Sequence, residues 1–241
     1  MDITSYLLGK NSAGGGGGGG DLDWSVLGYD TTPDGIKKIY NDAKDILDNF
    51  TPQQALANTF YGKTMVIMPL IDTSITTNMQ STFASCNKLI QVPLFNTSKV
   101  TNFISTFREC AVLTYVPNLD TSSATNMSSM FLYCYKLENA PSFNTSKVTN
   151  MQQMFSYCSI LKNVPIYDTH LVTNFNNAFQ SCNTLTDTSL DNILQMCINS
   201  SVSSTNKKLS YVGIFTATYS QEKIQALPSY QAFIDAGWTI N

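Results

Sequence analysis

The sequence predicts an α/β solenoid, a stack of five repeats of 24 residues that each fold as strand, turn and short helix. Two observations predict it. Three residue types recur every 24 positions without insertion or deletion, and the apolar residues inside each copy follow a helical period. The columns are Cys86, Cys110, Cys134, Cys158 and Cys182; Phe83, Phe107, Phe131, Phe155 and Phe179; and Pro69, Pro93, Pro117, Pro141 and Pro165. One such unit cannot bury its apolar face alone, so the copies must pack against each other.

Each copy carries signals for a helix and for an extended segment. In the copy that begins at Asn150, the apolar residues fall at i, i+4, i+7 and i+10, which is one helix face: Met151, Phe155, Cys158 and Leu161. Thr149 or Asn150 stands at the expected N-cap. Residues 162–169 then predict a short extended piece, in which Asp168 supports a turn through its side chain.

The cysteine column predicts buried free thiols that pack as small hydrophobic side chains. Zinc sites need close cysteine pairs, and a spacing of 24 supplies none. We expect equivalent helices to lie ~10 Å apart, whereas a disulfide needs Cα atoms within about 7 Å. Cys197 lies outside the column, on a predicted helix face with Leu190, Ile193 and Leu194.

The sequence predicts a helical cap before the array and a mixed cap after it. A helix is expected to begin near Pro33 and to shield a degenerate half-repeat, in which Gly62 falls in the cysteine column and Met65 in the leucine column. The carboxy-terminal cap combines the helix from Leu190, a loop, an extended piece and a helix from Ser220 to the Gly237 stop. The predicted domains are 1–20, 21–62, 63–189 and 190–241.

The first 20 residues predict a docking peptide on a tether. Seven consecutive glycines, at 14–20, behave as a flexible chain. They separate residues 1–13, which are too few to fold alone but carry four large apolar side chains: Ile3, Tyr6, Leu7 and Leu8. One interpretation is a segment that docks on a partner through these residues. The other is a disordered tail.

Composition excludes several functional classes. The net charge is −3 and only 13% of residues are charged, against 43% hydrophobic, which disfavours a nucleic-acid surface. One histidine, His170, supports no catalytic triad, so we expect no enzyme, no metal site and no cofactor. The start has no basic region and a short apolar run, which is unlike a secretory signal, and no apolar segment approaches membrane length. We therefore expect synthesis in a cytosol and no membrane insertion.

Residues 144–158, and the related copy from Asp120 to Cys134, resemble the BspA-like leucine-rich repeats of bacterial surface proteins. The resemblance implies a leucine-rich-repeat-like stack over about residues 67–185, half of the chain. It also implies a surface protein that binds host or matrix components. The start of the chain and residues 23–29 resemble proteins of phages and prophages of gut bacteria that carry the same repeats.

Together these features predict a non-enzymatic virion protein, such as a fibre, collar or capsid decoration. Residues 1–13 would attach to a larger virion protein, and the array would contact a host surface protein or glycan through Tyr133, Tyr135 and Tyr157. The alternative for these rings is that they only cover the convex face. The alternatives for the protein are a cell-surface adhesin and an intracellular scaffold. A homo-oligomer is compatible with each of them.

Overall fold

The structure is a computed structural model that describes residues 33–203, 207–209 and 219–240. The predicted docking peptide and tether lie outside these residues. The described elements are α1 (Pro33–Asn49), α2 (Asp187–Asn199), β1 (Lys208–Leu209), α3 (Gln221–Gln225), α4 (Tyr230–Asp235) and β2 (Thr239–Ile240). Between α1 and α2 the chain forms the repeat array, which has turns and isolated parallel bridges.

Helix α1 begins at Pro33, whose fixed φ and missing N–H suit a first helical position. Its buried Ala43 packs with Ile67 of the array. At the end of the helix, Ile46 and the following Phe50 pack against the main core. The opposite face is charged, with a Lys38–Asp42 ion pair at 2.6 Å. The helix therefore covers part of the first copies through a narrow apolar face.

The copies lie directly against each other, and their phenylalanines form one continuous row of stacked rings. Consecutive ring centroids are 5.3–5.6 Å apart along Phe60, Phe83, Phe107, Phe131, Phe155 and Phe179. The expected separation of ~10 Å between copies is therefore wrong by about a factor of two. The reason is that no helix lies between one copy and the next, so backbone contacts backbone.

The helix predicted in each copy is wrong, because the same residues form a run of turns. In the copy that begins at Asn78, the backbone N–H groups alternate between two acceptors. Thr82, Ala84 and Cys86 donate to the residue three positions earlier in the same copy. Residues 79, 81, 83 and 85 instead donate to the next copy, with N···O distances of 2.7–2.9 Å. In each of the first four copies, half of these N–H groups therefore donate to the next copy.

Left-handed backbone at two positions of each copy makes this alternation geometrically possible. The first position is held by Ser81, Ser105, Ser129, Gln153 and Asn177, with φ between 51° and 56°. The second is held by Ser85, Glu109, Tyr133, Tyr157 and Ser181, with φ between 59° and 64°. Such angles cost about 1–2 kcal/mol for a residue with a Cβ. The hydrogen bonds to the next copy offset this cost.

Polar side chains complete the contacts between copies. In each copy a buried threonine donates its hydroxyl to a carbonyl of the next, as Thr97 does to Asp120 at 2.8 Å. The predicted side-chain-supported turn is present, since the Asp168 carboxylate accepts the His170 N–H at 3.1 Å. Asn150 does the same for the N–H of Gln152, so it supports a turn and not the predicted helix cap. The expected extended segments make single parallel bridges, such as Gln91 with Tyr115.

A half-copy at residues 55–62 begins the stack, but its register differs from the expected one. Phe60 stacks on Phe83, and Gly62 donates to Ala84 as Ser85 does to Arg108. Gly62, with φ of 67°, therefore occupies the left-handed column of Ser85 and not the cysteine column. One residue is missing from this half-copy between Gly62 and Met65, which a constant interval of 24 could not reveal.

The carboxy-terminal cap begins with α2, where Thr186 accepts the Ser189 N–H as N-cap. The predicted apolar face of α2 is buried, namely Leu190, Ile193, Leu194 and Cys197. The single helix predicted from Ser220 is wrong, because the chain breaks around Pro228 into α3 and α4. β1 and β2 pair in parallel.

Candidate recognition surface

The three tyrosines predicted as a ligand surface lie together on the array. The rings of Tyr133 and Tyr157 have centroids 4.8 Å apart with an interplanar angle of 30°. The Tyr135 ring lies 6.0 Å from that of Tyr133, tilted by 50°. Tyr135 is exposed and the other two are half-buried. The three tyrosines therefore form a cluster of neighbouring rings that is partly accessible to solvent.

The backbone beneath two of these rings is unfavourable for tyrosine. Tyr133 and Tyr157 have φ of 64° and 61°, in the left-handed region that a bulky residue rarely adopts. Gly62 holds the same place in the first half-copy, and a Cβ built there would meet nothing within 4 Å. Packing therefore does not demand a large side chain in this column. Strained positions of this kind concentrate at functional sites.

A fixed carboxylate lies one copy away in the same column. Glu109 accepts a hydrogen bond from the Ser85 hydroxyl at 2.7 Å and two from the Arg108 guanidinium at 2.7 and 3.0 Å. The Ser85 hydrogen bond, followed by the Arg108 contacts, lowers the pKa of Glu109 below its ordinary value. The column thus places the Glu109 carboxylate, which is fixed by hydrogen bonds, next to the pair of rings of Tyr133 and Tyr157.

The cysteines of the 24-residue column are free and fully buried. Each thiol also donates to a phenylalanine carbonyl of the preceding copy, as Cys134 does to Phe107 at 3.1 Å. These thiols therefore form hydrogen bonds between copies in addition to packing in the core. Burial raises the pKa of Cys134 well above its ordinary value and that of Cys86 to about 11, so these thiols are poor nucleophiles at neutral pH.

Other chemistry-bearing residues lie apart from the tyrosines. His170 is exposed at a turn, where its ring Nδ1 lies 2.6 Å from the Asp168 carboxylate. Within residues 33–203, 207–209 and 219–240, no group of three or more His, Cys, Asp or Glu is placed to hold a metal ion. None of the described helices is long and apolar enough to cross a membrane. The residues Ile3, Tyr6, Leu7 and Leu8 lie outside the described part.

Two features of this surface were not predicted from the sequence. They are the Glu109 group, which is Glu109 with its partners Ser85 and Arg108, and the left-handed backbone of the column. The backbone angle of this column could not be inferred from the sequence, since Glu and Tyr do not favour it. A usable signal was Ser85 and Ser181 at both ends of the column. Small polar residues tolerate strained turns better than bulky ones do.

A family model described as "Mycoplasma protein of unknown function, DUF285" matches the chain over residues 54–162 and 77–193. These two overlapping ranges cover the half-copy, the repeat array and most of α2. No curated protein and no solved structure matches the chain.

Proposed function

We propose that this chain, which belongs to the family described as Mycoplasma protein of unknown function, DUF285, is a non-enzymatic recognition protein. Its array supports a glycan-binding surface formed by Tyr133, Tyr135, Tyr157 and the Glu109 group. One observation carries the proposal: Tyr133 and Tyr157 occupy left-handed positions of the column in which the first half-copy has Gly62. Burial in the core does not account for a tyrosine at these two positions, because both side chains are only half-buried.

A glycan is the ligand class that this chemistry favours. Tyrosine offers an apolar ring face together with a polar hydroxyl, which suits a sugar ring with an apolar face and hydroxyl edges. The Glu109 carboxylate is held by Ser85 and Arg108, so it can accept hydroxyl hydrogen bonds without losing further side-chain freedom. A backbone fixed by hydrogen bonds on both sides also preorganises the surface.

We expect the double variant Tyr133→Ser, Tyr157→Ser to lose glycan binding while it keeps its fold. Serine occupies the same column at Ser85 and Ser181 with φ of 59°, so the backbone accepts it. The probe is an array of bacterial surface polysaccharides incubated with the full chain. We expect at least a tenfold loss of signal on any glycan that the parent chain retains.

The matched control is Tyr115→Asn. Tyr115 is another exposed tyrosine, 50% accessible, and its column already holds asparagine at Asn139 and Asn163. This variant should bind like the parent. Equal losses in both variants, or a parent chain that retains no glycan, would contradict the proposed surface.

We further propose that the array is a leucine-rich-repeat-like solenoid of the BspA-like class, and that the protein works as a virion component. Stacked Phe rings and buried leucines in each copy support the first part. The tether and the apolar residues in 1–13 support the second. The alternatives are a cell-surface adhesin and an intracellular scaffold.

Density-gradient centrifugation distinguishes a virion component from a cell-surface adhesin and from an intracellular scaffold. We expect mass spectrometry to find the chain in the band of intact particles prepared from its native source. Recovery on cell envelopes without particles would favour an adhesin, and recovery only in the soluble lysate would favour a scaffold. Either result would contradict the proposal that the protein is a virion component. It would not bear on glycan binding by the tyrosines, which the Tyr133→Ser, Tyr157→Ser variant tests.

A further inference from the structure

The hydrogen bonds between copies form continuous chains that run in one direction. The peptide group that joins residues 108 and 109 accepts from Ser85 through its carbonyl and donates to Leu132 through its N–H. The next peptide group joins residues 132 and 133, and its N–H donates to the carbonyl of Ser156 in the following copy. Four such chains run side by side in the turn segment, as the peptide groups of an α-helix do.

At the amino-terminal end of the array these chains finish in carbonyl groups. The half-copy donates from residues 56, 58, 60 and 62 into the stack. The carbonyls of the matching peptide groups, at Ala55, Ala57, Thr59 and Tyr61, accept no hydrogen bond from any residue in the described part of the chain. The equivalent carbonyls of the next copy, 78, 80, 82 and 84, all accept from the copy before. We call this row the acceptor edge.

One residue of the acceptor edge, Thr59, lines a cleft that has further features of a peptide site. The cleft has a volume of about 470 Å³ and lies between the end of α1 and the half-copy. Its apolar side includes Ile46 and the stacked rings of Phe50 and Phe60, 6.4 Å apart. Asp45 lines its rim. Among the described residues no cation pairs with Asp45, whose carboxylate accepts only from Asn49.

The charge in the cleft favours a positively charged partner, because Asp45 is the one charged residue among the described residues that line it. Aligned peptide groups leave partial negative charge at their carbonyl end, and the Asp45 carboxylate adds a full charge. Outside the turn segment, the N–H of Thr101 donates to the carbonyl of Thr77 in the preceding copy, which is the opposite direction. The peptide groups are therefore aligned in one direction only within the turn segment. Two acceptor edges cannot pair with each other, because neither supplies N–H groups, which disfavours a symmetric contact between the edges of two copies of the chain.

We propose that the acceptor edge and its cleft bind a peptide segment of a separate protein. The segment extends the stack by donating N–H groups from alternate residues, places an apolar side chain against Phe50 and Phe60, and presents a basic side chain to Asp45. Addition of a segment to an exposed edge is a recurrent mode of peptide recognition, in which backbone bonds give affinity and side chains give specificity. This site is separate from the tyrosine surface, so neither proposal depends on the other.

The probe is a fluorescent eight-residue peptide of alternating Lys and Val with one central Val replaced by Phe, titrated into the full chain by anisotropy. Two N-methylated forms carry methyl groups on the odd or on the even residues. We expect one form to bind at least tenfold more weakly and the other to bind like the parent peptide. Equal binding of the two forms, or no binding of the parent peptide, would overturn the proposal.

The protein variants test the acidic rim. Asp45→Lys should weaken binding at least tenfold with an unchanged melting temperature, since Asp45 is exposed. The control Asp42→Lys makes the same charge change on the same helix outside the cleft and should alter affinity less than twofold. Equal effects of the two variants would overturn the assignment of the cleft. So would a dimer of the full chain in sedimentation that Asp45→Lys dissolves, because the edge would then belong to a second copy.

Discussion

Replacing Cys134 with Asp is expected to abolish folding of the array. Cys134 is fully buried in the middle copy, and its thiol faces the carbonyl of Phe107. An aspartate there would bring a charge into the core and set an acceptor against an acceptor. Such a change costs more than about 4 kcal/mol, a large part of the stability of a typical domain. Soluble yield and far-ultraviolet circular dichroism measure the outcome.

Two milder variants show whether the cost comes from charge or from packing. Cys134→Ser keeps a donor to the Phe107 carbonyl and should lose about 1–2 kcal/mol. In Cys134→Ala the donor is removed, but the Phe107 carbonyl keeps the Cys110 N–H at 3.1 Å. Both variants should fold. A soluble and stable Cys134→Asp chain would show that the cysteine column is not part of the core.

Phe131→Ala should have the second-largest effect, a loss of about 3–5 kcal/mol in the free energy of unfolding. The Phe131 ring is fully buried, with neighbouring rings at 5.5 Å on one side and 5.3 Å on the other. Its removal leaves a gap that the neighbours cannot fill, since their backbones are fixed by hydrogen bonds to each other. Urea denaturation followed by circular dichroism gives the change.

The comparison for this variant is Phe50→Ala, which makes the same truncation at the end of the row. Phe50 is half-buried, and among the described residues its ring stacks on that of Phe60, at 6.4 Å. It should lose less than half as much stability as Phe131→Ala. Equal losses at the two positions would show that the row does not act as a set of contacts between neighbouring rings.

The sequence was informative about which residues are buried and less so about the backbone that buries them. The spacing of Met151, Phe155, Cys158 and Leu161 fits a helix face, and all four are buried. A run of turns brings the same residues to the core, because its inward positions also recur at three and four residues. Apolar spacing over so short a segment therefore cannot distinguish the two structures.

The hydrogen bonds that decide between them connect residues 23 apart, such as Phe107 and Met130. No local propensity of the chain encodes these pairings. The candidate site shows the same limit: the tyrosine column was visible by comparing copies, whereas the strain beneath Tyr133 and the carbonyl row at Ala55 arise only once copies are stacked. Helix α1 could be predicted because Pro33 and its apolar spacing are local signals.

The constant step of the Phe row has a consequence for how such chains change over generations. Each copy meets its neighbours through the same contacts, and rings recur every 5.3–5.6 Å. We therefore expect an in-frame gain or loss of 24 residues between the half-copy and Tyr133 to preserve the contacts at both ends of the array and to change the distance from the acceptor edge to the tyrosines. We expect the distance between these two surfaces to change in steps of one whole copy, each about 5.3–5.6 Å long, while the structure of both ends of the array stays the same.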